Sequence, residues 1–402
     1  MKVLQINTYF SKGSTGRIVE QIYDALLIRG DTPYVIYGCG PVINKKNVYR
    51  VGNKLNYYFQ KYRTHLFGNH AFYSSLMTLK MISLIKKIDP DIIHLHNIHG
   101  NYVNCGMLFD FLKKFNKPIL WTFHDCWPMT GHCAHFSKIN CQKWKNQCHD
   151  CGLLHDYPRT ITDCTIKAYR EKKAKFQQID KLTIIAISDW AKSIIKESFF
   201  KDKSVDTIYD GVDVNHFVPT NDKIILRKKY GIPLDKKIIL AVSIGWTIEK
   251  GVKDLFALSE KLPTSYQLVV IGNINPDCKI INLPSTRDLD VLKEYYQLSD
   301  VLFNPSIQEM CGLVIIEAMA CGIPAVVYNV TACPGVIGSR TDSPGGIAVE
   351  KFDLNSAIAS FDIILSNYDF YSKNARLLAT SKFSLSSSIE RYIKEYSEIC
   401  EK

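Results

Sequence analysis

Asn304-Pro305-Ser306-Ile307-Gln308-Glu309-Met310-Cys311-Gly312-Leu313-Val314-Ile315-Ile316-Glu317-Ala318-Met319-Ala320-Cys321-Gly322-Ile323-Pro324 reads as the end of a strand, a loop and a short helix. Leu313 to Ala320 carries the apolar run, while Pro305, Gln308 and Gly312 punctuate what precedes it. A strand turning within a few residues into a helix is half of a parallel-sheet unit, and such sheets bind ligands beyond the carboxyl ends of their strands. Glu309 falls on that loop and Glu317 in the helix behind it, so the two carboxylates are displaced along one ligand. One can accept hydrogen bonds from sugar hydroxyls and the other from ribose hydroxyls, with backbone N–H groups near Gly312 facing a phosphate. Spacing alone leaves a plainer alternative open, in which Glu309 is a solvated loop residue and Glu317 a helix-surface charge.

The same grammar extends in both directions. Downstream, residues 325–328 read as a strand. Upstream, residues 238–243, 266–271 and 301–304 read as strands and residues 252–261 and 291–298 as helices. The first half repeats the alternation. Strands are expected over residues 2–7, 33–37, 91–96, 118–123 and 183–187, with helices near 76–88, 107–115 and 190–198. Ser11 to Gly16 read as turn residues, after which Ile18, Val19, Ile22 and Leu26 recur at helical spacing until Gly30 stops the helix. Alternating strands and helices predict an α/β chain of two Rossmann-like sheets. The expected domains are 1–215, with a Cys-rich insertion near 126–164, then 216–380, and a C-terminal helix over 381–402 that packs back on the first domain.

A chain of 402 residues is long enough for two cores, and its 46% hydrophobic and 22% charged residues are those of a globular protein. The first residues, Met1 to Asn7, form too short an apolar run for a secretory signal. The most apolar stretch, 312–328, contains Glu317, Gly322 and Pro324, which excludes a spanning helix there. Thirteen cysteines without an export signal fit a reduced cytoplasm better than a disulfide framework. The formal charge of +11 admits nucleic acid, an anionic membrane or an anionic substrate. Basic residues occur in short clusters such as Lys113-Lys114 and Arg227-Lys228-Lys229, without regularly interleaved aromatics, so nucleic acid is not an expected partner.

The Glu309 to Pro324 segment resembles the retaining GT-B glycosyltransferases of family 4, the glycosyl transferases group 1, whose hallmark is a Glu-x7-Glu motif. Ser299-Asp300-Val301-Leu302 and Tyr328 to Pro334 extend the similarity, and Gly335 departs from it where many relatives are acidic. The resemblance implies two domains facing each other across a cleft, a nucleotide diphosphate sugar as donor, and retention of anomeric configuration. It implies that Glu309 binds the donor sugar, that Glu317 binds the ribose, and that Gly312 and Leu313 lie at the phosphates. Gly245-Trp246-Thr247-Ile248-Glu249-Lys250-Gly251 looks like the family's phosphate loop, with Lys250 neutralising the diphosphate as the glycosidic bond breaks. Many relatives also place an arginine in this loop, and this chain does not. No metal or other cofactor is expected to be required. By the same resemblance the acceptor is a saccharide on a lipid carrier, used at the inner face of the cytoplasmic membrane for O-antigen, capsule or exopolysaccharide.

In the first half, Gly13-Ser14-Thr15-Gly16-Arg17 follows a strand, and its glycines permit close approach of a phosphate or sugar, Gly16 being the donor-site candidate. Ser14 or Thr15 as a simple helix cap is the plainer reading. Thr122-Phe123-His124-Asp125 and Asp91 to Asn97 place histidines at strand ends, and His124 matches the family position that approaches the donor sugar. Alternation assigns His94 and His96 to one buried face. Cys133, Cys141, Cys148 and Cys151 leave two readings open, a structural zinc site or reduced thiols packing an insertion. Residues 56–73 mix aromatics with Lys61 and Arg63, which suits a membrane interface, a glycan-stacking face or an ordinary packed helix. Two other function classes remain open: another GT-B enzyme, such as a sugar phosphorylase or nucleotide-sugar epimerase, and a nucleic-acid-binding module.

Overall fold

The structure is a computed structural model that describes residues 1–275 and 279–401, so Lys402 of the expected last helix lies outside the described residues. The chain divides into two compact units, residues 1–208 with 389–402, and residues 209–388.

The first unit runs β1 (Lys2–Asn7), α1 (Gly13–Ile28), β2 (Thr32–Tyr37), β3 (Val48–Arg50), α2 (Lys54–Phe67), α3 (Ser75–Ile88), β4 (Ile92–Leu95), α4 (Cys105–Phe115), β5 (Ile119–Phe123), α5 (Thr165–Gln177), β6 (Leu182–Ala186), α6 (Asp189–Glu197) and β7 (Ser204–Thr207). Its seven strands are all parallel, in the order β3-β2-β1-β4-β5-β6-β7. Every residue of β4 and β5 is buried, as expected for central strands covered on both faces. Val3, Ile22, Leu26, Ile92, Leu120 and Ile185 form one core cluster with Tyr392 and Tyr396 from the end of the chain.

The second unit runs α7 (Lys223–Lys229), β8 (Lys237–Gly245), α8 (Val252–Lys261), β9 (Tyr266–Asn273), β10 (Ile280–Leu283), α9 (Leu289–Gln297), β11 (Val301–Asn304), α10 (Leu313–Ala320), β12 (Ala325–Tyr328), α11 (Cys333–Val336), β13 (Gly346–Val349), α12 (Leu354–Ser366) and α13 (Tyr368–Lys382); α14 (Leu385–Glu401) starts here and ends in the first unit. Six parallel strands are ordered β10-β9-β8-β11-β12-β13. Strand order reverses between β8 and β11, and the crevice at that switch is where doubly wound sheets take ligands.

Two boundaries differ from the sequence reading. Helix α1 begins at Gly13, so Gly13 to Gly16 form its first turn and not a preceding loop. Ser11 and Gly13 take positive φ of 61° and 70°, and the Ser11 N–H donates to Gly16 O at 2.9 Å, which closes the turn early. The N-cap is Lys12, whose side chain makes no capping bond, so neither Ser14 nor Thr15 caps the helix. The second difference lies near residue 210. The first unit's continuous stretch closes at Ile208, and Val212 already belongs to the second unit, pairing in parallel with Ser384.

Candidate active site

The loops after β8 and β11 come from the two strands that flank the switch in the second unit. They are joined by backbone contact. Ile307 N–H donates to Glu249 O at 2.9 Å, and Ser306 Oγ reaches the same carbonyl at 3.4 Å. Gly251 starts α8 with φ +83°, and a Cβ there would stand 2.6 Å from Pro305. Only glycine allows the two loops to nest this closely. Trp246 Nε1 fixes the other end of the first loop by donating to Ile271 O at 3.0 Å.

This nesting brings Lys250 Nζ to 2.6 Å from Glu309 Oε1, with the glutamate side chain 13% exposed and the lysine 37% exposed. Glu309 is also held through its backbone. Its N–H donates to Thr331 Oγ1 at 3.3 Å, and its carbonyl accepts from Ala332 N–H at 3.3 Å. Thr331 takes φ +53°, an uncommon conformation for a β-branched residue, which turns the loop after β12 toward Glu309.

Gly312, with φ +82°, is the N-cap of α10 and offers no side-chain cap, so the positive end of that helix lies three residues from Glu309. Leu313 begins the helix half-buried. Arg376 on α13 steadies the opposite end, donating from Nη1 to Ala320 O at 2.6 Å. Glu317 Oε2 accepts from the hydroxyl of the fully buried Tyr296 on α9 at 2.7 Å. The carboxylate is therefore oriented from below.

Sequence reasoning missed Tyr296, Thr331 and Asp210. Asp210 is buried beside Cys311, whose thiol accepts from the Asp210 N–H, and burial raises its carboxyl to about 7. Asp210-Gly211 is a turn-type pair, but nothing local in the sequence signals that it packs beside Cys311 of the Glu309 loop.

In the first unit, His124 follows β5 and is 9% exposed. Gln5 Nε2 donates to Val19 O at 3.0 Å, leaving its Oε1 to accept from His96 Nε2 at 3.2 Å. His96 Nδ1 is then an acceptor, and His124 Nε2–H donates to it at 3.1 Å. Burial lowers His124 to about 4, so this ring is neutral near pH 7. His94 and His96 are both buried, and His94 bonds Tyr396 at 2.6 Å and Thr122 at 2.8 Å. Gly16 sits buried in the first turn of α1.

Asp125 pairs with His99 Nε2 at 2.8 Å and accepts from Trp127 N–H at 2.9 Å. Burial pushes its carboxyl up, but the charge and hydrogen bond of His99, with His135 and the Trp127 N–H, outweigh it and hold Asp125 at about 2. His99 Nδ1 lies 3.0 Å from Tyr157 OH, which ties the β4 and β5 ends to the Cys-rich segment.

That segment is pinned from inside by Lys172 of α5. Its Nζ donates to Trp127 O at 2.8 Å and Thr130 O at 3.0 Å, and burial lowers it to about 7. Cys133 and Cys151 share a hydrogen bond that lowers the Cys151 thiol, while Cys148 accepts from Gly131 N–H at 3.2 Å. Among the described residues, no group of three or more His, Cys, Asp or Glu side chains is placed to hold a metal ion.

Comparison with known proteins follows the same two halves. The model of glycosyltransferase family 4 matches residues 15–216, and that of the glycosyl transferases group 1 matches residues 222–377. The putative colanic acid biosynthesis glycosyl transferase WcaC of Escherichia coli K12 is 22% identical, over 99% of this chain and all of its own length. Sucrose-phosphate synthase of Thermosynechococcus elongatus superposes with a TM-score of 0.72 at 18% identity, covering 99% of each chain. HepE of Anabaena, solved in complex with UDP, superposes with a TM-score of 0.68 at 13% identity, covering 99% of this chain and 100% of its own. The chain is a glycosyltransferase, a member of family 4 with the two parallel-sheet domains of the GT-B fold.

Proposed function

We propose that this glycosyltransferase moves a sugar, with retention of configuration, from a nucleotide diphosphate donor to a lipid-carried saccharide in the assembly of a cytoplasmically built surface polysaccharide. The observation that carries the reading is the Lys250–Glu309 pair at the β8/β11 switch, three residues before the N-terminus of α10. The acceptor hydroxyl oxygen bonds to the anomeric carbon while the carbon–oxygen bond to the diphosphate breaks, its electron pair leaving on phosphate and the hydroxyl proton passing to the departing phosphate oxygen. Lys250 and the N–H groups of Gly312 and Leu313 meet that growing charge, so the reaction as proposed uses no divalent ion. Glu309 accepts hydrogen bonds from the sugar hydroxyls, and Glu317, oriented by Tyr296, accepts from the ribose. Gly16 and His124 are the proposed donor contacts of the first unit; His124, being neutral, acts as a hydrogen-bond partner and not as a charge.

The relatives support the polymer and donor classes by what they are called. WcaC is named for colanic acid biosynthesis, another relative lies in a Klebsiella pneumoniae cps region, and HepE was solved with UDP-glucose as well as UDP. Thermal stabilisation of the purified chain against a panel of nucleotide sugars tests the reading, since a ligand bound only by the native state raises its melting temperature. A rise with one nucleotide sugar, abolished in Glu309→Ala, is expected. Melting temperatures that respond to no nucleotide sugar, or to oligonucleotides instead, would overturn it.

A further inference from the structure

Helix α2 is built inside out. Its buried residues are Gln60 and Thr64, and both are engaged in polar contacts: Thr64 Oγ1 bonds Asn101 at 3.1 Å and Gln60 Nε2 bonds Asn56 at 3.2 Å. The opposite face carries Leu55, Tyr58, Phe59 and Tyr62, which are 84%, 64%, 60% and 62% exposed. Their spacing of three and four residues sets them in one stripe. A helix serving only its own core buries the apolar side. Here that side faces out, where water contact costs free energy.

The charge around the stripe is equally one-sided. From Thr32 to Ile88 the sequence contains nine lysines and arginines and no aspartate or glutamate. Lys54 and Lys61 are exposed on α2 itself. Arg63 stacks at 4.4 Å on the ring of Tyr73, joining α2 to the segment that leads into α3, where Leu76 and Leu79 are also exposed. Aromatic and aliphatic groups between basic side chains match an anionic bilayer surface: rings enter the headgroup boundary while ammonium and guanidinium groups meet phosphates.

We infer that the exposed Leu55/Tyr58/Phe59/Tyr62 face of α2, with Lys54 and Lys61, docks the protein onto an anionic phospholipid surface. The use of such docking rests on the lipid-carried acceptor proposed above, but its readout needs neither donor nor acceptor. The occupant is a bilayer because the charges that α2 and its sequence neighbours bring to the stripe have one sign over 57 successive residues. A second copy of the same face would bring those like charges together.

The test is flotation of the full chain with phosphatidylcholine vesicles, alone or containing about 30 mol% phosphatidylglycerol. Recovery is expected with the anionic vesicles, falling several-fold at about 0.5 M salt as the charges are screened. The triple change Tyr58→Ser, Phe59→Ser and Tyr62→Ser is expected to lower partitioning roughly tenfold at an unchanged melting temperature. Lys54→Glu with Lys61→Glu provides a second variant that leaves the rings in place and is expected to lose the anionic preference. Equal recovery with uncharged vesicles, parental binding by both variants, or a parent dimer that the triple change turns into monomer would each overturn the inference. Nucleotide-sugar stabilisation, measured on the same preparations, reports separately on the transfer reading.

Discussion

Lys250 Nζ and Glu309 Oε1 stand 2.6 Å apart although 59 residues separate them in sequence. The cation proposed to meet the leaving diphosphate and the carboxylate proposed to hold the sugar are thus one electrostatic unit, delivered by the two strands at the switch. Neither side chain is deep enough for its loss to unfold the chain. Lys250→Ala and Glu309→Ala are expected to lower kcat by about a hundredfold or more while moving the melting temperature by only a few degrees. Steady-state kinetics with matched thermal melts check this, and wild-type turnover in either variant would refute the assignment.

Gly251 sets how closely the two loops nest. Its φ of +83° and the 2.6 Å approach to Pro305 leave no room for a methyl group. Gly251→Ala is expected to cost roughly 1–3 kcal/mol and, by displacing Lys250, to reduce kcat/KM more than the stability loss explains. Denaturant unfolding and kinetics on the same sample decide it; an alanine variant with parental values for both would show that the contact does not position the lysine.

Tyr296 and Glu317 separate binding from chemistry. Tyr296→Phe removes the 2.7 Å hydrogen bond and little else. It is expected to raise the donor KM several-fold with kcat within about twofold, because it loosens a contact to the ribose and not to the reacting bond. A fall in kcat at constant KM would place Glu317 in the chemical step instead.

Two sets of buried groups give stability opposing slopes across the same window, about pH 4 to 7. Burial lowers His124 and His132 to about 4, and lowers His70, His94 and His96 as well. Below an unfolded value of about 6.5 the unfolded chain takes up protons that the folded chain refuses. Their contribution is therefore complete above about 6.5 and is lost as pH falls toward 4. Asp210 runs the opposite way. Its raised value of about 7 means that ionisation costs stability as pH climbs from about 4 to 7. Asp210→Asn removes that opposing slope, so its melting temperature is expected to gain on the parent's progressively from about pH 4 to 7 and to keep a constant offset above about 7. Melting temperatures of both proteins from pH 4 to 9 would show it, and an offset that does not grow across the lower half of that range would mean that Asp210 is not the group responsible.

What could be read from sequence followed local pattern. β1, α8, β11, α10 and β12 lie where the apolar runs and the Gly and Pro punctuation put them. β3, β7, β10 and β13 were not anticipated. They are three- and four-residue strands, and β7 reads Ser204-Val205-Asp206-Thr207 with one buried residue, so alternation has too few positions to register. Helix α5 escaped notice because it is rich in lysine, and its buried Lys172 looks like a surface residue until the carbonyls of Trp127 and Thr130 are seen to accept its hydrogen bonds. At the site, Glu309, Glu317 and Lys250 were visible as spacing. Tyr296 and Asp210 were not, because each reaches the site from another element and carries no motif of its own; Thr331 lies within the Tyr328 to Pro334 similarity, but its contact with the Glu309 N–H is made only by the fold.

The final helix ties the order of synthesis to the order of folding. Tyr396 bonds His94, Tyr392 bonds Thr122, and both tyrosines fill the core beside β1 and β4. The half of the polypeptide that the ribosome makes first therefore lacks two of its interior rings until some 180 further residues have been translated. The residues of the later unit, 209–388, are all made once Ser388 is added, so that stretch is available to close while its elder neighbour waits.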